Sequence, residues 1–225
     1  MSKFSLSNNY IDLQKSIHPA EEKTSDRSAL IIGSDSEGNI GFHIEKKFVS
    51  AGMKVKSFSK SSMDMTSEDL PVEESDDILV LANGCTYLDW IENLQDDEIS
   101  NMIGDTFLAS VRATNQFVKK TINNSYKKYI IFIGSMAYKN VLNGSSVYCA
   151  SKAAISHFSK CVAWELAPKG YNIVTINPSN TEGTPMTEET IKGLMRYRDL
   201  SREDAEKYWA ATLPKQSWLQ PEEIA

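Results

Sequence analysis

A tyrosine, a lysine and a serine are the residues of this 225-residue chain whose types and spacing point to chemistry. In Tyr148-Cys149-Ala150-Ser151-Lys152 the phenol and the ammonium are four residues apart, so on a helix they share one face, a turn apart. A cation beside a phenol favours the phenolate and lowers a pKa that starts near about 10. That makes Tyr148 a proton donor or acceptor near neutral pH. The same spacing also describes an ordinary solvated helix pair. Ser135 lies thirteen residues before Tyr148, directly after an apolar run. From the same sheet edge its hydroxyl would hold a substrate oxygen while the tyrosine exchanges its proton.

The elements that must position these groups alternate along the chain. Short, mostly apolar runs at Ala29–Ile32, Ile78–Leu81, Ile130–Ile133 and Ile173–Ile176 read as strands, as does the stretch Met53–Ser59. Helical periodicity follows from Ile40 to the Ala51-Gly52 stop, over about 98–120 and over about 147–166. Such alternation predicts a single α/β domain over 29–225, a parallel sheet covered by helices on both faces. Residues 1–28 read as an N-terminal extension with at most a short helix around Tyr10–Ile17. In doubly wound sheets ligands sit beyond the carboxyl ends of the strands. The turn Gly33-Ser34-Asp35-Ser36-Glu37-Gly38-Asn39-Ile40-Gly41 opens a helix at such an end. A backbone that close, at a helix N-terminus, suits pyrophosphate, although glycine turns also join strands to helices for steric reasons alone.

Composition narrows the function classes. Hydrophobic residues make up 41% and charged residues 24%, an ordinary globular mix. Lys+Arg number 24 against Asp+Glu 30, a net charge of −6, so neither nucleic acid nor an anionic membrane is an expected partner. The longest apolar runs, Tyr129–Ile133 and Ile78–Ala82, are far too short to span a bilayer, and Met1–Asn9 lacks the apolar stretch of a secretion signal. Cys85, Cys149 and Cys161 form no paired motif, and His18, His43 and His157 lie far apart. Reduced thiols, a cytoplasmic location and no metal are the expectations.

Taken together, the Gly33–Gly41 turn, Ala82-Asn83-Gly84, Ser135, Tyr148/Lys152 and Asn177-Pro178-Ser179 resemble the short-chain dehydrogenase/reductase family over roughly residues 29–225. The general look is that of its 3-oxoacyl-carrier-protein reductases. The resemblance implies a doubly wound Rossmann-type sheet and an NADP or NAD cofactor. Tyr148 would be the general acid/base, Lys152 would lower its pKa and hold the nicotinamide ribose, and Ser135 would bind the substrate oxygen. Gly33, Ser36, Gly38, Ile40 and Gly41 would bound the pyrophosphate site, and Asn83-Gly84 the adenosine ribose. Pro178 and Thr184 would contact the nicotinamide end, and Asp64 the adenine side. A homodimer or homotetramer through the helices 98–120 and 147–166 is also implied.

The sequence departs from the family pattern at definite places. The glycines of the first turn sit at offsets of five and eight, a longer loop than the family's. The position of the family's proton-relay asparagine falls on Thr106, with Asp105 beside it as the alternative. Ser59 stands where an acid would read the ribose diol of NAD, and Lys60 follows it, which favours NADP. Residues 60–77 leave room for one connection only, so the third-strand unit is reduced, and no final strand follows Gln220–Ala225. The segment 185–213, with Met186, Met195, Tyr197 and Trp209, is a candidate substrate lid. The leading expectation is an NAD(P)(H)-dependent oxidoreductase interconverting a small-molecule carbonyl and a secondary alcohol, running as a ketoreductase. The alternative is an inactive dinucleotide-binding or interaction protein on the same fold.

Overall fold

The computed structural model describes residues 24–34, 38–124, 126–211 and 218–225. The expected helix at Tyr10–Ile17, Ser36 and the end of the 185–213 segment lie outside them. Five strands, β1 (Ser28–Ile32), β2 (Lys54–Phe58), β3 (Ile78–Leu81), β4 (Lys128–Ile133) and β5 (Tyr171–Ile176), pair in the order β2-β1-β3-β4-β5, every neighbour parallel. Alternate residues of a strand face opposite sides, and here both sides are dry. Leu30, Ile32, Leu79, Leu81, Ile130 and Phe132 meet Phe117, Ile155 and Val162 on one face. Ala29, Ile31, Ile78 and Val80 meet Ile44 on the other. That double burial is why the central strands β1 and β3 are continuous apolar runs, while edge strand β2 alternates Lys and Val.

The helices follow where their signals predict. Helix α1 (Ile40–Ser50) starts at Asn39, whose side chain accepts the Phe42 N–H at 2.7 Å. Helix α2 (Asp96–Ile103) starts at Gln95, whose N–H reaches Glu98 Oε2 at 3.0 Å. It runs through a π-helical turn, Gly104–Leu108, into α3 (Ala109–Thr121). After β4 comes α4 (Ser146–Leu166), and after β5 come α5 (Pro185–Arg198), α6 (Arg202–Ala211) and the short α7 (Pro221–Ile224).

Between β2 and β3 the chain crosses the sheet in turns, with neither helix nor strand. The crossover buries Met65 and Leu70 against Ala109, Ala113 and Phe117. Its backbone is tied to α3 by the Leu70 N–H to Gln116 Oε1 at 2.7 Å, and Gln116 Nε2 returns a bond to Asp69 Oδ1 at 2.8 Å. Two buried apolar anchors and a side-chain tether thus replace the reduced third-strand unit. Among the described residues the sheet has five strands, with β2 and β5 as its edges.

Candidate active site

The residues singled out from the sequence converge at the carboxyl edge of the sheet, around a cleft of about 970 Å³. Gly33 follows β1, Lys60 comes shortly after β2, Ala82-Asn83-Gly84 follow β3, Gly134-Ser135 follow β4, and Pro178 follows β5. All of them line the cleft. Register sets this convergence, because Ile32, Leu81 and Phe132 stand abreast in neighbouring strands.

Helix α4 brings Tyr148 and Lys152 to the cleft on one face. The Tyr148 hydroxyl donates to Met186 Sδ of α5 at 3.4 Å. Burial pushes its phenol up to about 12, and the Ser135 hydroxyl facing it draws it down in part. Ser135 itself is fixed on both sides. Its N–H donates to Asn177 Oδ1 at 3.2 Å and its Oγ accepts the Ala137 N–H at 3.1 Å. Lys152 is buried, donates to the Ile133 carbonyl at 3.0 Å, and is pulled down to about 8 by that burial. Its Nζ stands 5.8 Å from the Tyr148 ring centre. The expected lowering of the tyrosine pKa by the lysine is therefore not what this geometry gives. Desolvation dominates both groups, and the ammonium is spent on a carbonyl rather than on the phenol oxygen.

Gly84 (φ +146°) lets two further groups close in. A Cβ there would lie 3.1 Å from Thr106 Oγ1 and 3.7 Å from Lys152 Nζ. Thr106 belongs to the π-helical turn, where one extra residue per turn re-aims a side chain. It is 1% exposed, and its Oγ1 finds no partner among the described residues. A buried hydroxyl without a partner costs roughly 1–3 kcal/mol, so this one marks a place where a ligand or water belongs. Neighbouring Asp105 points into the cleft, and its carbonyl accepts from Asn83 Nδ2.

Gly33 (φ +93°) is required twice, for its backbone conformation and because a Cβ would sit 2.7 Å from Ala82 C and Asn83 N. The other glycines of the turn are arranged differently from the expectation. Gly38 turns away from the cleft, where a Cβ would meet the Gly183 carbonyl at 2.7 Å, and Gly41 is buried under the Gly33 carbonyl. Ile40 lines the cleft at the head of α1 as expected, joined there by Asn39. Asn39 was missed by glycine spacing, although its position directly before the first periodic residue is an N-cap signal. Ser59 is 6% exposed and turned toward Ser61 and Ser62, away from the cleft. Lys60 does line the cleft, paired with Asp105 Oδ2 at 2.7 Å.

Asp64 lines the far end. Its carboxylate accepts from Thr66 N–H, Thr66 Oγ1 and Ser67 Oγ, and these bonds hold its pKa down to about 2. Thr184, 8% exposed, caps α5 by accepting the Thr187 N–H at 3.0 Å. Of the four apolar lid candidates, Met186 and Trp209 line the cleft, whereas Met195 and Tyr197 pack with Leu88, Ile191 and Leu194 beneath α5 and α6. Cys85, Met63 and Met65 line the cleft as well. Nothing in their spacing announces this, because only the crossover path brings the two methionines there. Burial pushes the Cys85 thiol up to about 12, so it is a neutral, unreactive lining group.

A sequence profile of the short chain dehydrogenase family matches residues 74–194, from just before β3 through most of α5. An oxidoreductase of Bacillus subtilis is 26% identical over 200 residues, covering 73% of this chain and 78% of that protein. The 3-oxoacyl-acyl-carrier-protein reductase of Escherichia coli is 28% identical over 165 residues, covering 72% of this chain and 66% of its own length. Among solved structures, an actinorhodin polyketide ketoreductase with NADPH superposes with a TM-score of 0.74 at 22% identity, covering 89% of this chain and 88% of that one, a likeness of fold. With Ser135, Tyr148 and Lys152 lying inside the matched stretch, the chain belongs to the short chain dehydrogenase family, whose members are NAD(P)-dependent oxidoreductases.

Proposed function

We propose that the protein interconverts a small-molecule carbonyl and a secondary alcohol with NADP(H), running as a ketoreductase, with NAD(H) as the alternative cofactor. One observation carries the reading: a half-buried phenol, Tyr148, faces the Ser135 hydroxyl inside the cleft with buried Lys152 behind it. The residues fit a dinucleotide. The Gly33 backbone at the head of α1 offers the close approach that pyrophosphate needs, and Asn39, Ile40, Asn83, Gly84, Pro178 and Thr184 line the path beside it. Thr106 Oγ1 is a polar group still in need of a partner. A bound nicotinamide dinucleotide supplies the hydride of the reduction.

The chain's own residues handle the oxygen. Ser135 Oγ, fixed by the Ala137 N–H, donates a hydrogen bond to the carbonyl oxygen, and Tyr148 Oη delivers the proton to it. A phenol held protonated up to about 12 suits that direction, because the acid is fully loaded at neutral pH. Met186 Sδ now accepts the phenol proton, so the substrate oxygen must displace that thioether. Lys152, half-charged near pH 8, is placed to turn from the Ile133 carbonyl toward a ribose and to share charge with the phenolate left behind.

Further parts of the reading concern setting. No described helix is long and apolar enough to cross a membrane, and the three free thiols fit a cytoplasmic location. Ile91, Ile103, Phe107, Val147, Ala150 and Ala154 form an apolar hollow on the outer face of α2 and α4, with Ile91 60% and Ile103 45% exposed. A second copy of the chain is its occupant in this reading.

The test is a titration of the purified chain with NADPH and NADH by nicotinamide fluorescence, followed by a ketone screen. Binding of NADPH with ketone-dependent oxidation is expected. Binding without turnover of any ketone would favour the dinucleotide-binding alternative, and binding of neither would overturn the reading.

A further inference from the structure

Lys60 does not face the adenosine end of the cleft as a free cation. Its ammonium is 2.7 Å from Asp105 Oδ2, and both residues line the cleft. The two partners differ in how firmly they are held. Asp105 sits in the π-helical turn, with its carbonyl accepting from Asn83 and its side chain 19% exposed. Lys60 sits at the start of the irregular crossover and is 67% exposed. Asp105 is thus the fixed member, and it decides where the ammonium points.

Other charges nearby do not take over that role. Asp64 lies close enough to feel Lys60, but its carboxylate is saturated by Thr66 and Ser67. Cys85 and Tyr87, also beside the pair, are neutral at physiological pH, with burial holding both above their ordinary values. The local balance is therefore one cation against two anions, of which only Asp105 pairs with it directly. A phosphate monoester on the ribose must take Lys60 from Asp105 and then sit beside a bare carboxylate. A ribose diol, which is neutral, faces neither cost and can donate to that carboxylate.

We propose that Asp105 is a specificity-determining residue for the adenosine end of the dinucleotide: by holding Lys60 it restrains recognition of a 2′-phosphate, so that the preference for NADP(H) over NAD(H) is narrower than a free lysine would give. This rests on the dinucleotide reading above, and goes beyond it by naming the residue that opposes Lys60.

The test measures binding, without turnover. NADPH and NADH are titrated by nicotinamide fluorescence into the wild type, Asp105→Asn, Lys60→Ala and the double variant, with circular dichroism confirming that each is folded. Freeing Lys60 by Asp105→Asn is expected to tighten NADPH about three- to tenfold while NADH moves less than about twofold, the scale of a partly exposed ion pair plus a removed repulsion. Lys60→Ala is expected to abolish the preference for NADPH, and in that background Asp105→Asn is expected to shift the ratio less than it does in the wild type, since only the repulsion is then removed. A NADPH-to-NADH ratio unchanged by Asp105→Asn, or a preference that survives Lys60→Ala, overturns the assignment while leaving the dinucleotide reading intact. Should Asp105→Asn fail to fold, Asp105→Ser carries the same arm, with the same result expected and the same unchanged ratio overturning the assignment. Failure of the wild type to bind either nucleotide overturns the dinucleotide reading and this inference with it.

Discussion

At the residue scale, what the sequence shows of the site is its spacing, and what it hides is its environment. Ser135, Tyr148 and Lys152 could be placed because strand ends and helix faces are periodic, and periodicity is local. The protonation of the pair is tertiary: it depends on α5 covering the phenol and on the Ile133 carbonyl receiving the ammonium. That burial has a measurable signature. Lys152 binds a proton up to 10.5 in the unfolded chain and only to about 8 in the folded one, so between those values the unfolded state holds more protons and stability rises with pH. A rise of up to about 3 kcal/mol is expected from this group, of which the part below pH 9 is cleanly readable. Above that, Cys85, raised from 9.0 to about 12, and Tyr148, raised from 10.0 to about 12, pull the other way. Urea unfolding of Lys152→Met across pH 7 to 9 should show that rise abolished. An identical rise in the variant would mean that the lysine is not the buried titrating group. Thr106→Val removes a hydroxyl with no partner among the described residues. Its stability should stay equal or rise by about 1 kcal/mol, while ketone turnover falls if the hydroxyl serves the proton relay.

At the element scale, the five strands and the main helices fall within a few residues of their expected bounds, because all but the part-exposed edge strand β2 are apolar runs or periodic stretches. The reduction of the crossover 59–77 was legible from its length, and Pro71 with the run of Ser, Asp and Thr favours the turns it forms; where its apolar anchors Met65 and Leu70 dock was not, because that depends on α3. The π-helical turn that aims Thr106 and Asp105 into the cleft has no sequence signal of its own. The candidate lid is also an element-scale property. Helix α5 is seated on the 85–93 loop by Arg196, which reaches Asp89 Oδ2 at 3.0 Å and the Leu88 carbonyl at 2.9 Å. Tyr197 Oη ties it to the Asn143 carbonyl at 3.0 Å. Gly193 makes that seat close, since a Cβ would lie 2.5 Å from Leu88 Cβ. Gly193→Ala should therefore lift α5 and with it Met186. It is expected to destabilise the fold by about 1–3 kcal/mol through overpacking and to raise the KM for ketone more than it changes nucleotide affinity. A normal melting profile with an unchanged KM would contradict the tight seating.

At the scale of the whole molecule, the reading makes two commitments. In that reading a second copy of the chain covers the apolar hollow on α2 and α4, and Ile103→Asp, which places a charge on an already exposed position, should lower the mass seen by light scattering from a dimer or tetramer to a monomer without unfolding the chain. A monomeric wild type would remove the second copy from the account. A homo-oligomer is a family expectation alone at the level of sequence, since apolar residues on 98–120 and 147–166 read equally well as facing the sheet, and only the folded chain separates exposed Ile103 from buried Met102. The other commitment is the chemistry itself, and one measurement reaches it directly: steady-state oxidation of NADPH with a responsive ketone by the wild type and by Tyr148→Phe, each with its NADPH affinity measured alongside. Loss of the phenolic proton should cut kcat by about 10²–10⁴-fold with nucleotide affinity nearly unchanged, because the ring and its burial remain. Turnover equal to the wild type's in a variant that binds NADPH normally would contradict Tyr148 as the acid, and with it the account of the site.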